Sequence, residues 1–226
     1  VSTSDPVAAA PEQVGAAGEQ RFVRRWAVDG VAALLGAAVA AACLAVAQSG
    51  VPAAEEAVFR FLNDLPDALE KPMWVAQLGG LLLVPLGLAV IAAVLRHWRL
   101  ALALALLVPA KLVVEYRVIK AVADRERPAT SICDGDLTCL HLRDAPAAGV
   151  SMPSGHAVIA MAIWWLVAPY LPRRWQGVAL GMCLMVPIAR IYLGAHNPLD
   201  VAAGGAAGIV IAALLNLLVG VPGARR

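Results

Sequence analysis

The sequence predicts an all-α fold: a polytopic bundle of six transmembrane helices with one short amphipathic helix on its extracytoplasmic side. Three observations carry that reading. Hydrophobic residues supply 61% of the 226 positions and charged residues 15%, with a mean hydropathy of +0.75, a balance foreign to water-soluble domains. The apolar residues collect into six runs, each near the about 20 residues that a hydrocarbon core about 30 Å thick requires. Arginines mark every second junction between those runs, as expected of loops retained on one side of a membrane. The net charge of +2 includes no basic stripe, so nucleic acid is excluded as a partner and membrane lipid is implied.

Taken in order, residues 1–24 read as a cytoplasmic tail, and residues 1–20 are rich in Ala, Gly, Pro and Ser, a composition that predicts disorder. Residues 25–226 then form one six-span domain. The spans fall at 28–47, 75–95, 100–119, 154–171, 175–194 and 199–219. Ala45-Val46-Ala47 also suits a signal-peptide cleavage site, but the apolar run before it exceeds the usual core of about 7–15 residues. Spans four and five are short and touch motif residues at their outer ends, which sets the site slightly below the membrane surface. Arg21, Arg24 and Arg25 precede span one, and Arg96 and Arg99 join spans two and three. Arg173 and Arg174 join spans four and five, and Arg225 and Arg226 follow span six. This bias places both termini in the cytoplasm of a multi-pass protein of the plasma membrane. Arg60, Lys71, Arg125 and Arg143 fall on the other side.

The segment 53–69 differs from the spans. Val58, Phe61, Leu62, Leu65 and Leu69 recur at helical spacing among Glu55, Glu56, Arg60, Asn63, Asp64 and Asp67. That pattern predicts an amphipathic helix on the outer surface, serving either as a packed lid or as a substrate gate. Glu55 and Glu56 follow Pro52 in the first turn, where the helix dipole favours them. Inside span three, Lys111 and Glu115 lie four apart, and intramembrane charge is functional or paired; they read as an internal ion pair or as substrate contacts. Cys43 and Cys183 fall within apolar runs as packing residues. Cys133 and Cys139 lie in an outer loop with Gly135 between them and are candidates for a disulfide. The same loop holds Asp134, Asp136, His141 and Asp144, which match no zinc or calcium spacing.

Three clusters carry the chemistry: Lys120…Arg127-Pro128, Pro153-Ser154-Gly155-His156 and Arg190…His196…Asp200. The first two share the loop between spans three and four, and the third lies two crossings later, so all face one side. A phosphate monoester needs compensating positive charge, and Lys120, Arg127 and Arg190 provide it. Lys120 and Arg127 are spaced by nearly two helical turns, so both point inward before Pro128 stops the helix. Ser154 is a suitable N-cap and Gly155 permits close backbone approach, offering N–H groups to a phosphate oxygen. His196 and Asp200 bracket Pro198, which suits a first helical turn. A carboxylate on one imidazole nitrogen leaves the other free to attack.

The ordered set resembles the type-2 phosphatidic acid phosphatase family, the membrane lipid phosphatase branch of a superfamily that also includes vanadium haloperoxidases. That family carries Lys-x6-Arg-Pro, Pro-Ser-Gly-His and Ser-Arg-x5-His-x3-Asp; here the stretches read K-AVADRE-RP, PSGH and AR-IYLGA-H-NPL-D. The departure is Ala189, where the family usually has Ser, so one hydroxyl hydrogen bond is missing. The resemblance spans about residues 55–205. It implies His196 as the nucleophile that forms a phosphohistidine, Asp200 as its orienting carboxylate and His156 as general acid, then base. It implies Lys120, Arg127, Ser154, Gly155 and Arg190 as the phosphate cradle, with no metal and no cofactor. The expected activity is hydrolysis of a polyprenyl (di)phosphate or a glycerophospholipid phosphate at the extracytoplasmic face. A phosphotransferase with another acceptor, or a lipid-phosphate binding or transport module, are the alternatives. The lipid and the oligomeric state stay open.

Overall fold

Helix α9 (Pro198–Val219) is the element around which the others are laid. The computed structural model describes residues 22–143 and 145–223. The tail at 1–20, Arg21, Asp144, Arg225 and Arg226, singled out above, lie outside the described residues. Helix α1 (Trp26–Ala47) and α7 (Gly155–Val167) pack along α9. Small residues make this possible, because they let helix backbones approach closely. A Cβ on Gly36 would meet Ala206 O at 3.0 Å, and one on Gly204 would meet Ser154 O at 2.5 Å. On Gly208 it would collide with the Val158 carbonyl. Helix α5 (Trp98–Val113) closes the core with Leu100, Leu104 and Leu107 against Val158, Ile159 and Leu166 of α7 and Ile211 of α9.

Among the described residues, three helices are long and apolar enough to cross a membrane: α1, α8 (Arg173–Tyr192) and α9. A fourth span results if the segments Asp67–Gly80 and Leu83–Val94, bent by 63°, are counted as one. The remaining runs are helical but interrupted. Helix α5 passes at Val113 into a π-turn, Val114–Ile119, and α7 continues only to Tyr170, short of Pro172. In the bent pair, α3 (Glu70–Gln77) and α4 (Leu83–Val94) are separated by residues 78–82, which include Gly79 and Gly80. Gly80 lies directly on His156, where a Cβ would come within 2.6 Å of the His156 Cβ. The expected continuous span at 75–95 is therefore broken where it covers the start of α7.

Helix α2 (Ala53–Asn63) differs from its periodicity. Its packed face is Glu55, Phe59 and Asn63, all buried, whereas Val58 and Phe61 are 48% and 71% exposed. Polar partners explain the choice. Asn63 donates to His141 O and Tyr192 O and accepts from His141 N–H, each at 2.9 Å. Arg143 clamps the same region, donating to Asn63 O at 2.7 Å and Tyr192 O at 2.9 Å and pairing with Asp67 at 2.8 Å. Cys133 and Cys139 form a disulfide in the loop beneath; Cys43 and Cys183 are free.

At the opposite end of the bundle, buried Asp29 of α1 accepts from Arg25, from Trp165 Nε1 at 2.8 Å and from Asn216 Nδ2 at 3.3 Å. Three helices are thereby tied at one carboxylate. Substituting Gly208→Ala adds a methyl group where the α7 backbone already lies. Overpacking of this kind costs about 1–3 kcal/mol, so the unfolding midpoint in detergent should fall by several degrees. Gly181→Ala, on a helix surface with open space around it, should leave the midpoint unchanged or raise it. Equal midpoints for Gly208→Ala and the parent would contradict the close α7–α9 contact.

Candidate active site

The three motif clusters meet at one end of α9 because their backbones bond to one another. Ser154 N–H donates to Asp200 O at 3.0 Å, and Ser151 N–H to Arg125 O at 2.7 Å. His196 N–H and Ala195 N–H both reach Arg190 O, at 3.3 and 3.0 Å. A bridge between Glu126 and Val150 joins the first two segments. Ser154 takes the extended conformation of an N-cap, but its side chain makes no cap bond. Its buried Oγ has no hydrogen-bond partner, nor does Arg190 Nε. Both are donors free for an anion.

The helix expected to carry Lys120 and Arg127 ends earlier than the spacing predicts. Arg127 is extended (φ −71°, ψ 161°), and Pro128 opens α6 (Pro128–Ser131) rather than ending a helix. The clash between a proline ring and the preceding residue accounts for this, together with the aptness of proline for a first turn. Arg127 crosses to the third cluster, donating to Ala195 O at 2.7 Å and Ala148 O at 3.1 Å. Arg190 pairs with Gln77 Oε1 of α3.

Lys120 is placed by the π-turn. In a regular α-helix residues five apart lie on different faces, but the wider π-turn stacks them. Glu115 thus stands between Lys111, with which it pairs, and Lys120, whose Nζ lies 2.7 Å from Oε1. The column faces Gly155: a Cβ there would meet Glu115 Oε2 at 2.8 Å and Lys111 Nζ at 2.9 Å. The ion pair expected from sequence exists and extends into the cradle. His156, at the start of α7, lies in the fields of Arg190, His196, Lys111 and Arg127.

Asp200 and His196 complete the centre. Asp200 is fully buried; its Oδ2 accepts from Ser151 Oγ at 2.5 Å and from Asn197 N–H at 2.8 Å, closing a capping box. Its Oδ1 faces Arg125 Nη1 at 3.1 Å. Arg125 is held in turn by Glu55, at 3.0 and 2.5 Å, and Glu55 also accepts Leu199 N–H at 2.8 Å. Asp200 and His196 come together as the sequence suggests, but without a direct hydrogen bond. Oδ2 stands 3.7 Å from Nδ1, and Ser151 Oγ intervenes at 3.2 Å. Among the described residues here, Lys111, Lys120 and Arg125 pair with Glu115, Glu55 and Asp200, and Arg127 and Arg190 add two cations bonded to neutral acceptors. The excess of two positive charges matches a phosphate monoester, which carries about −1.5 to −2.

Sequence reasoning missed Ser151, Glu55, Gln77 and Gly80, and it placed Arg125 only as an outer cation. Gln77 had a signal, as a lone amide inside an apolar run. Arg125 lay within the Lys-x6-Arg interval. Ser151 had none beyond its closeness to Pro153.

The chain matches the family model described as PAP2 superfamily over residues 80–221, a stretch that holds all three clusters. The chain belongs to the PAP2 superfamily. This PAP2 chain resembles the crystal structure of Aquifex aeolicus LpxE with a TM-score of 0.57 and 22% identity, over 70% of this chain and 92% of that one. It also resembles the first transmembrane PAP2 type phosphatidylglycerolphosphate phosphatase from Bacillus subtilis. There the TM-score is 0.60 at 20% identity, over 83% of this chain and 94% of that one. At such identities the likeness is one of fold. No curated protein matches the chain.

Burial pushes the His196 imidazole down to about 4; Asp200 opposes the shift, while Arg190 and Arg127 add to it. An ordinary histidine titrates near about 6.5. The neutral form, which a nucleophile needs, should therefore persist at pH 6 and give way only as pH falls towards about 4. Nitrogen NMR of histidine-labelled protein, assigned by loss of the His196 signals in His196→Gln, reads this directly. A midpoint above pH 6 would contradict the burial.

Proposed function

We propose that this chain is an integral-membrane lipid phosphatase that hydrolyses a lipid phosphate or diphosphate through a phosphohistidine on His196. The observation that carries the proposal is the buried chain from Asp200 through Ser151 to His196, set beside cations in excess. Binding alone needs the cations but not an imidazole anchored to a carboxylate. His196 presents Nε2, the nitrogen turned away from Ser151. Nε2 forms a bond to phosphorus as the bond to the lipid oxygen breaks, and His156, an imidazolium beside the bound phosphate dianion, gives one proton to that oxygen and becomes neutral. His156 then takes a proton from water, the water oxygen bonds to phosphorus, and the P–N bond breaks to release inorganic phosphate. Lys120, Arg127, Arg190, Ser154 Oγ and the Gly155 N–H hold the phosphoryl oxygens throughout. No metal or cofactor takes part.

The proposed arrangement has six spans, both termini cytoplasmic, residues 1–24 on the cytoplasmic side before span one, and the site extracytoplasmic. Its support is the arginine bias and the helical state of all six runs, with the bent pair as span two. In this setting Val58 and Phe61 of α2 rest on the outer membrane surface. Substrates are polyprenyl or glycerophospholipid phosphates. One structural relative is named as a phosphatidylglycerolphosphate phosphatase, which supports the glycerophospholipid class.

Purified protein should release phosphate from at least one member of a panel of such lipids, with EDTA present and with vanadate abolishing turnover. It should also form a phosphoenzyme stable in base and labile in acid. His196→Ala should lose both adduct and turnover, because among the described residues of the site His196 is the histidine anchored to a carboxylate. Release that requires added magnesium, or an adduct that survives in His196→Ala, would sink the mechanism.

A further inference from the structure

We propose that Ser151 is the positioning residue that sets the tautomer of His196, with Asp200 acting through it. The inference rests on the proposed role of His196 as nucleophile but is read independently of turnover. Ser151 is fully buried, and its Oγ touches two side chains: Asp200 Oδ2 at 2.5 Å and His196 Nδ1 at 3.2 Å. A hydroxyl has one proton to give and lone pairs to accept with. Asp200 faces the Arg125 guanidinium and accepts the Asn197 N–H, so it serves as a carboxylate acceptor and accepts the hydrogen bond that the Ser151 O–H donates. The short separation is that of a charge-assisted O–H···O bond.

The Oγ lone pair is then what Nδ1 meets, and only an N–H can answer it. The imidazole is therefore protonated at Nδ1 and bare at Nε2, the nitrogen that must attack. Asp200 cannot do this alone, because 3.7 Å to Nδ1 is beyond hydrogen-bond reach. Ser151 itself is held rigidly: its N–H bonds to Arg125 O at 2.7 Å, and Arg125 is tied to Glu55 of α2 at 2.5 Å. Removal of the hydroxyl leaves Nδ1 without a partner, and a free imidazole prefers its proton on Nε2, the form that cannot attack.

The test is nitrogen NMR of histidine-labelled protein in detergent near pH 7, in the parent and in Ser151→Ala and Ser151→Thr, with kinetics alongside. The parent should show His196 protonated at Nδ1. Ser151→Ala should move it towards Nε2–H and lower kcat by about a hundredfold, with KM little changed; Ser151→Thr should restore the Nδ1–H signature and much of the rate. A parent with Nε2–H, or a Ser151→Ala protein whose His196 tautomer is unchanged, overturns the proposal without any need for the variants to be active. If the tautomer behaves as stated but no phosphoryl group is ever found on His196, the tautomer lock stands and the phosphatase mechanism fails.

Discussion

A carboxylate with no access to water must be satisfied by the protein, and Asp200 is the case on which the rest of this structure turns. The Arg125 guanidinium, the Ser151 hydroxyl and the Asn197 N–H supply the donors. These come from three different stretches of chain, so satisfying one buried charge forces the first motif loop, the segment before α7 and the start of α9 into one place. An uncompensated buried charge costs several kcal/mol, which makes the convergence compulsory rather than incidental. The small residues of α9 serve the same end: Gly204 lets Ser154 O lie against the helix that carries Asp200.

The charges around the site form a second constraint. Arg125 is neutralised by Glu55 and Asp200, and Glu115 is shared by Lys111 and Lys120. Arg127 and Arg190, in contrast, hold only neutral acceptors, Ala195 O, Ala148 O and Gln77. Among the described cations of the site, these two guanidiniums are therefore the ones best able to receive a phosphoryl group, and arginine binds such groups bidentately. Glu115 acts as a counter-charge for one buried lysine, Lys111, and one half-buried lysine, Lys120.

Much of this was legible because charge stands out in an apolar chain. Lys120, Arg127, His156, Arg190, His196 and Asp200 were singled out from spacing, and the structure brings their segments together. What escaped has physical reasons. Ser151 is a small polar residue outside any motif, and its role exists only through two partners far along the chain. Glu55 was assigned to a helix dipole because nothing local shows that Arg125 lies opposite. In α2 the apolar period pointed to Val58 and Phe61, but burial there follows hydrogen-bonding partners, so Asn63 and Glu55 face inward instead. The π-turn that stacks Lys120 on Glu115 has no sequence signature, and the break at Gly79 and Gly80 reflects contact with His156 rather than local breakers alone.

The central claim is that a Ser151-linked carboxylate presents His196 Nε2 to a phosphoryl group cradled by Arg127 and Arg190. A structure of the protein with vanadate, whose five-coordinate form mimics in-line transfer, tests it most directly. The account predicts vanadium bonded to His196 Nε2, its equatorial oxygens on Arg127, Arg190 and Ser154, and His156 hydrogen-bonded to the oxygen at the opposite apex. Vanadium bonded to His156, or seated away from both histidines, would contradict it.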